Sequence, residues 1–141
     1  MTAKDYLKSY VAEKDQADAC QKRIEYLEDM KKRVKAVRYT GMPKGSHQGD
    51  LSDTEAVIDE LMDKYIRIIL SYVGKEADIL ERINRIKRPE EREVLMWRYI
   101  NNRDKDGKKL TWDDIANKIP CSRRSAENYH GRALKNFPMD D

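Results

Sequence analysis

An all-α fold is what this sequence predicts: a long N-terminal helical hairpin or coiled coil, then a compact unit of three or four short helices. Three observations predict it. Charged residues make up 39% of the 141 positions, more than a compact globule of this length needs, so long exposed helices are expected. Only 6 Gly and 4 Pro punctuate the chain, which favours helix over sheet. Apolar residues also recur at helical spacing over two spans far too long for strands.

Residues 2–38 form the first expected helix. Ala3, Tyr6, Tyr10, Ala17, Cys20, Ile24, Leu27 and Val34 fall on one heptad stripe, which Glu13 and Lys31 interrupt. At the helical rise the segment is roughly 50 Å long. A helix of that length with one narrow apolar stripe needs a partner helix. "GMPKGSHQGD" follows, with three glycines, a proline and small polar residues, and predicts a loop over 40–52.

A second helix is expected over 53–88, capped by Ser52 or Asp53. It carries two apolar stripes. One is Ile58, Leu61, Tyr65, Ile68, Tyr72, Ile79 and Ile86; the other is Met62, Ile66, Ile69, Val73, Leu80 and Ile83. They are offset by one residue, about 100° of helix, and so form neighbouring faces. One face can pack on the first helix. The other needs the C-terminal helices or a second subunit, and a homodimer is the expectation. Residues 1–88 thus read as a long-helix hairpin suited to oligomerisation.

Pro89 opens a new helix, since proline is tolerated in a first turn and disfavours helix in the residue before it. "PEEREVLMWRYI" places three glutamates near that helix's positive end, with Val94, Leu95, Trp97, Tyr99 and Ile100 for packing. A polar, turn-rich loop is expected over 101–109. Thr111 with Asp114 makes an acidic capping box, and Leu110 with Ile115 a hydrophobic staple, so a short helix spans 112–118. It must stop there because Ile119 precedes Pro120. Ser122 caps a last helix that runs to about Phe137.

Two helices about three residues apart, with Ile115, Ala116, Ile119, Ala126 and Tyr129 where they face each other, have the pattern of a helix-turn-helix. In that motif the start of the second helix meets base edges in the major groove. Here those residues are Ser122, Arg123, Arg124, Ser125, Glu127 and Asn128. Arginine grips guanine through two hydrogen bonds, asparagine does so with adenine, and glutamate accepts from cytosine. Ser122 and the free amides beside it suit a phosphate. Arg132 and Lys135, on later turns, suit the phosphate backbone.

The charge distribution agrees. The formal net charge is only +3, yet residues 88–137 carry 12 Lys/Arg against 8 Asp/Glu, and residues 41–87 carry 7 against 9. Local charge decides attraction to phosphates. "MKKRVKAVR", residues 30–38, is also basic, but cations at a helix C-terminus are favourable without any ligand.

Other chemistry is not expected. Cys20 and Cys121 are too few and isolated for a disulfide framework or zinc site, and His47 and His130 lack partners at metal spacing. There is no phosphate-cradling glycine loop and no nucleophile with a plausible base, so neither an enzyme nor a cofactor is expected. The charged first thirty residues show no signal peptide, and no apolar run reaches membrane-spanning length. A cytoplasmic protein that binds no membrane is the expectation.

"LTWDDIANKIPCSRRSAENYHGRALKNF", residues 110–137, preceded by "RPEEREVLMWRYI", resembles region 4 of bacterial sigma factors, whose helix-turn-helix recognises the promoter −35 element. The resemblance covers 89–137. The chain as a whole is similar to small phage and prophage regulators of the ArpU type, including "MTAKDYLKSY" at its start and the "GMPKGSHQGD" break. The resemblance implies a sigma region 4-like DNA-binding domain over 89–138. It implies base contacts from Arg123, Arg124, Glu127 and Asn128, and phosphate contacts around Thr111, Trp112 and Ser122.

Three positions depart from the sigma pattern. Pro120 stands at a turn position that is usually glycine, and Ala126 where a β-branched residue is usual. Glu127 stands where a basic residue is common, and would repel phosphates or prefer cytosine. The chain is short for the sigma domain that opens the −10 region, so a regulator is expected rather than a complete sigma factor. Its expected partners are double-stranded DNA and a second copy of the chain, with RNA polymerase as a further candidate, in phage or prophage late-gene control. The rival expectations are DNA recognition for packaging, as in phage terminase small subunits, which also join such motifs to oligomerising helices, and a sigma-like module that mainly binds RNA polymerase.

Overall fold

The computed structural model describes residues 1–39 and 46–139. Among the described residues all regular structure is helical. The helices are α1 (Ala3–Tyr39), α2 (Ser46–Asn84), α3 (Pro89–Leu95), α4 (Trp112–Lys118) and α5 (Arg123–Asn136). α3 runs on into a π-helical turn, Met96–Ile100, closed by a 2.7 Å bond from the Asn101 amide to the Met96 carbonyl.

Most of the expected α1 stripe is buried: Ala3, Tyr10, Ala17, Cys20, Ile24 and Leu27. Tyr6 and Val34 are half-buried. Leu7, beside the stripe, is fully buried, so the covered face is wider there than one heptad seam.

α2 departs from expectation at both ends. It begins at Ser46, so Ser52 and Asp53 lie inside a helix and cap nothing. Of the expected loop over 40–52, residues 40–45 lie outside the described residues and the rest is helical. Gly49 weighs against helix by only about 1 kcal/mol. A helix already nucleated gains a hydrogen bond for each residue it adds, so one glycine does not stop it.

At the other end α2 stops at Asn84 instead of 88. The Arg85 and Ile86 amides bond the Arg82 and Ile83 carbonyls at 3.2 and 3.0 Å, a tighter closing turn. Arg88 is extended (φ −85°, ψ 123°), as a residue before proline prefers. The Arg92 guanidinium holds this turn by donating to the Ile86 carbonyl at 2.7 Å and the Lys87 carbonyl at 3.0 Å.

The chain divides into two compact units whose boundaries cut across both long helices. In the first, Lys14–Val73, Lys31 pairs with Asp59 at 2.8 Å and the Arg23 guanidinium lies 5.6 Å from the Tyr65 ring centre. Partner numbers rise on α2 as they fall on α1, so the two helices run antiparallel. Among its described residues, Ala17, Cys20, Ile24, Leu27 and Ile58 are the buried apolar ones.

The second unit joins Met1–Glu13 to Gly74–Asp141. Tyr6 and Tyr10 donate hydroxyl hydrogen bonds to Asp78 and Glu76, and Lys75 reaches Glu13 at 3.1 Å, again antiparallel. Burial and the Asp78 bond push the Tyr6 hydroxyl up to about 12. Ile79, Ile83, Ile86, Val94, Leu95, Ile115 and Ala126 form the centre of the core. Phe137 closes it, 6.3 Å from the Tyr6 ring. Arg82 donates to Asp78 at 2.9 Å and to the Pro138 carbonyl at 2.7 Å, which fixes the chain after α5. Glu91 is buried, and its carboxylate accepts from the Asn136 amide at 2.8 Å, tying α3 to α5.

Candidate functional site

The α4–α5 segment is built by its caps. The Thr111 hydroxyl accepts from the Asp114 amide at 3.2 Å, and the Asp114 carboxylate accepts from the Thr111 amide at 2.9 Å. This is the reciprocal box that the spacing predicts. The Thr111 amide bond holds the Asp114 carboxyl below its usual range.

α4 does end at Lys118, but not for the reason expected. Ile119 keeps helical dihedrals (φ −77°, ψ −24°) despite preceding Pro120. The stop comes from the missing N–H of Pro120, which cannot serve the Ala116 carbonyl. Cys121 serves it instead, at 2.8 Å, and the chain turns. Ser122 then caps α5, its hydroxyl accepting from the Ser125 amide at 3.1 Å and sitting 2.9 Å from the Ser125 hydroxyl.

α5 buries one side and presents the other. Ala126, Ala133 and Phe137 are buried. Arg124, Asn128, Gly131 and Lys135 recur at spacings of four, three and four, and all are exposed. They lie opposite the buried row on the 100° wheel. Arg132 is exposed beside them. Among the described residues, a Cβ placed on Gly131 would meet no neighbouring atom within 4 Å, so no described contact requires a glycine there.

Arg123 and Glu127 are tied to each other by a 3.2 Å ion pair, one turn apart and both well exposed. Ser122, Ser125 and Thr111 spend their hydroxyls on caps. Trp112 is half-buried, with the Arg98 guanidinium 4.6 Å from its ring centre and His130 edge-on at 5.1 Å. The predicted residues therefore fall into three groups: an exposed row, an ion pair on its flank, and a capping and packing set behind it.

His130 carries no expected role, and the fold gives it one in packing. Its Nε2 is 2.7 Å from the Tyr99 hydroxyl, on the π-helical turn. Burial lowers its pKa to about 4, with help from the positive charges of Arg98 and Lys4. The ring is therefore neutral at pH 7. Burial also pushes the Tyr99 hydroxyl up. Nothing in the local sequence marks this pairing, because Tyr99 and His130 lie on separate helical segments.

The loop before α4 is more ordered than a polar linker needs to be. Arg103 and Lys109 form an antiparallel bridge, and the Leu110 amide bonds the Asn102 carbonyl at 2.8 Å. Asp104 organises the tip: its carboxylate accepts from the Asp106 and Lys108 amides at 2.9 and 2.8 Å. Gly107 completes the turn at φ 81°, a region costly for any residue with a side chain. No protein-family model, curated protein or solved structure matches this chain.

Proposed function

We propose that α4, the turn through Pro120 and α5 form a sigma region 4-like helix-turn-helix, and that the protein is a sequence-specific regulator of transcription, acting on duplex DNA in a phage or prophage. What carries the reading is the exposed row on α5. Arg124, Asn128 and Lys135 share one face with Gly131 at its centre, and no packing contact accounts for the glycine. A glycine inside an exposed helix weakens it by about 1 kcal/mol relative to alanine. It suits a face that another backbone approaches closely.

In this reading Arg124 and Asn128 meet base edges, while Arg132 and Lys135 meet phosphates that set orientation. Arg123 keeps Glu127 on its Nε and meets a base or phosphate through its terminal guanidinium nitrogens. Ser122 and Thr111 act through the caps that aim the two helices.

The regulator works as a homodimer in this reading. Ile66, Leu70 and Val73 leave an exposed apolar row along α2, a natural seat for the same row of a second copy. Two copies would read two half-sites on one duplex.

The experiment is selection of bound sequences from a random duplex pool, with wild type beside Arg124→Ala. A defined motif that the variant loses or relaxes is the expected result, and its symmetry reports the dimer. No enrichment of wild type above the variant, at low and moderate salt, would overturn base reading.

A further inference from the structure

Beside α5, on its Glu127 and His130 flank, lies a cleft of about 520 Å³ within the second unit. Four cations line it: Lys4 and Lys8 from α1, Arg98 from the π-helical turn, and Lys109 from the bridged loop. They come from three segments, and the start of α1 is far in sequence from the other two. Lys4 and Lys8 sit one helical turn apart, so they point to the same side. Among the residues lining the cleft Glu127 is the one carboxylate, and Arg123 already pairs with it. Arg98 is held in place by stacking on Trp112. Lys4 and Arg98 line the cleft together with the His130 ring.

We propose that this cleft binds the sugar–phosphate backbone of duplex DNA alongside α5, so that the start of α1 is part of the DNA-binding surface. The inference rests on the reading of α5 as a recognition helix and extends it. A helix seated in the major groove, about 12 Å wide, has a phosphate strand along each flank. The Arg124–Lys135 row faces the groove floor, and the Glu127–His130 flank faces one of those strands. Cations clustered without carboxylate partners repel one another until an anion joins them, and a backbone phosphate supplies that charge without displacing any packed side chain. His130, kept neutral, forms an uncharged wall behind them. The cleft thus sets which way the protein lies on the duplex, and α5 sets which sequence it lies on.

The test measures affinity for one duplex of fixed sequence as a function of KCl concentration, using the full chain. Lys4→Gln/Lys8→Gln is set against Lys32→Gln/Lys35→Gln, which removes the same charge from exposed positions of α1 in the other unit. All four lysines are exposed, so neither change disturbs the core. Equal helical content and equal melting temperature check this.

The expected result is a salt dependence shallower by about 2 for Lys4→Gln/Lys8→Gln, with affinity near 0.1 M salt lower by roughly tenfold to a hundredfold. The control pair is expected to keep the wild-type slope. Wild-type binding whose slope is unchanged in Lys4→Gln/Lys8→Gln would overturn the cleft and leave α5 as the reader. An equal loss in the control pair would also overturn it, by showing that total charge alone matters. No duplex binding by wild type at about 50 mM KCl, where phosphate contacts are screened least, would overturn both readings together.

Discussion

Between Lys14 and Val73, α2 has one fully buried apolar side chain, Ile58, while Leu70 is 63% and Val57 54% exposed. In the other unit the balance is reversed. Ile79, Val94, Leu95, Ile115, Ala126 and Ala133 are at or near complete burial, and of its large apolar residues Met1 and Leu80 are exposed. The second unit has a closed core made of the short helices and the end stretches of α1 and α2. The first is a pair of helices, and two helices bury only the seam between them. The difference teaches how the same supply of isoleucine and leucine serves two ends: a self-contained fold in one unit, an unfilled face in the other.

The largest effect that tests this contrast is core truncation. Ile115→Ala, at a site with no solvent exposure, is expected to destabilise the second unit by about 2–5 kcal/mol in urea unfolding. A cost below about 1 kcal/mol there would break the comparison, because the core would not be closed.

Acid sharpens it next. The unfolded imidazole of His130 takes a proton near pH 6.5, but the folded one does so only near 4. Between those values the unfolded state binds the extra proton, so stability falls as pH falls. The loss begins below about pH 6.5 and grows no further below about pH 4; because the ring is only half-buried, solvent screening keeps it to about 1–2 kcal/mol. Urea unfolding at pH 7 and pH 4.5, with His130→Phe as reference, measures it. The acid-sensitive step should belong to the second unit alone.

A smaller effect of opposite sign is expected at Gly131. Replacement by alanine should stabilise α5 by about 0.5–1 kcal/mol, since the added methyl meets nothing. The same variant should bind duplex DNA more weakly than wild type. A gain in stability with unchanged binding would remove the reason given for the glycine.

The smallest change in fold stability is expected on the open face of α2. Leu70→Gln should alter unfolding of the monomer by no more than about 0.5 kcal/mol, as exposed substitutions do. It should nevertheless lower the mass seen in solution from dimer to monomer. A ring-sized mass for wild type would point instead to packaging of DNA.

Much of this was legible because helical periodicity and capping are local. The α1 stripe, the Thr111 box, the Ser122 cap and the exposed arginines of α5 can all be read within a few residues of sequence. The early start of α2 was not, since a glycine-containing segment reads as a break until it is attached to a helix already formed. Ile119 misled for a related reason: the preference of a residue before proline is a tendency, and the Cys121 amide bond outweighs it. The cationic cleft was illegible in principle. Lys4 and Lys8 look like ordinary solvated positions, and only the tertiary fold brings them beside Arg98, Lys109 and His130.

Tyr6 lies against Phe137, so the first turns of α1 and the last turn of α5 complete one core from opposite ends of the described chain. A contact of such long sequence separation closes late, because the intervening chain must first be ordered. On the ribosome, Tyr6 must wait for Phe137 until the end of α5 emerges. The α1–α2 pairing between Lys14 and Val73 needs no such delay, so it is free to form first and carry the N-terminal residues towards their place. Trimming residues 2–13 would therefore injure the unit that holds α5, although those residues are the farthest from it along the chain.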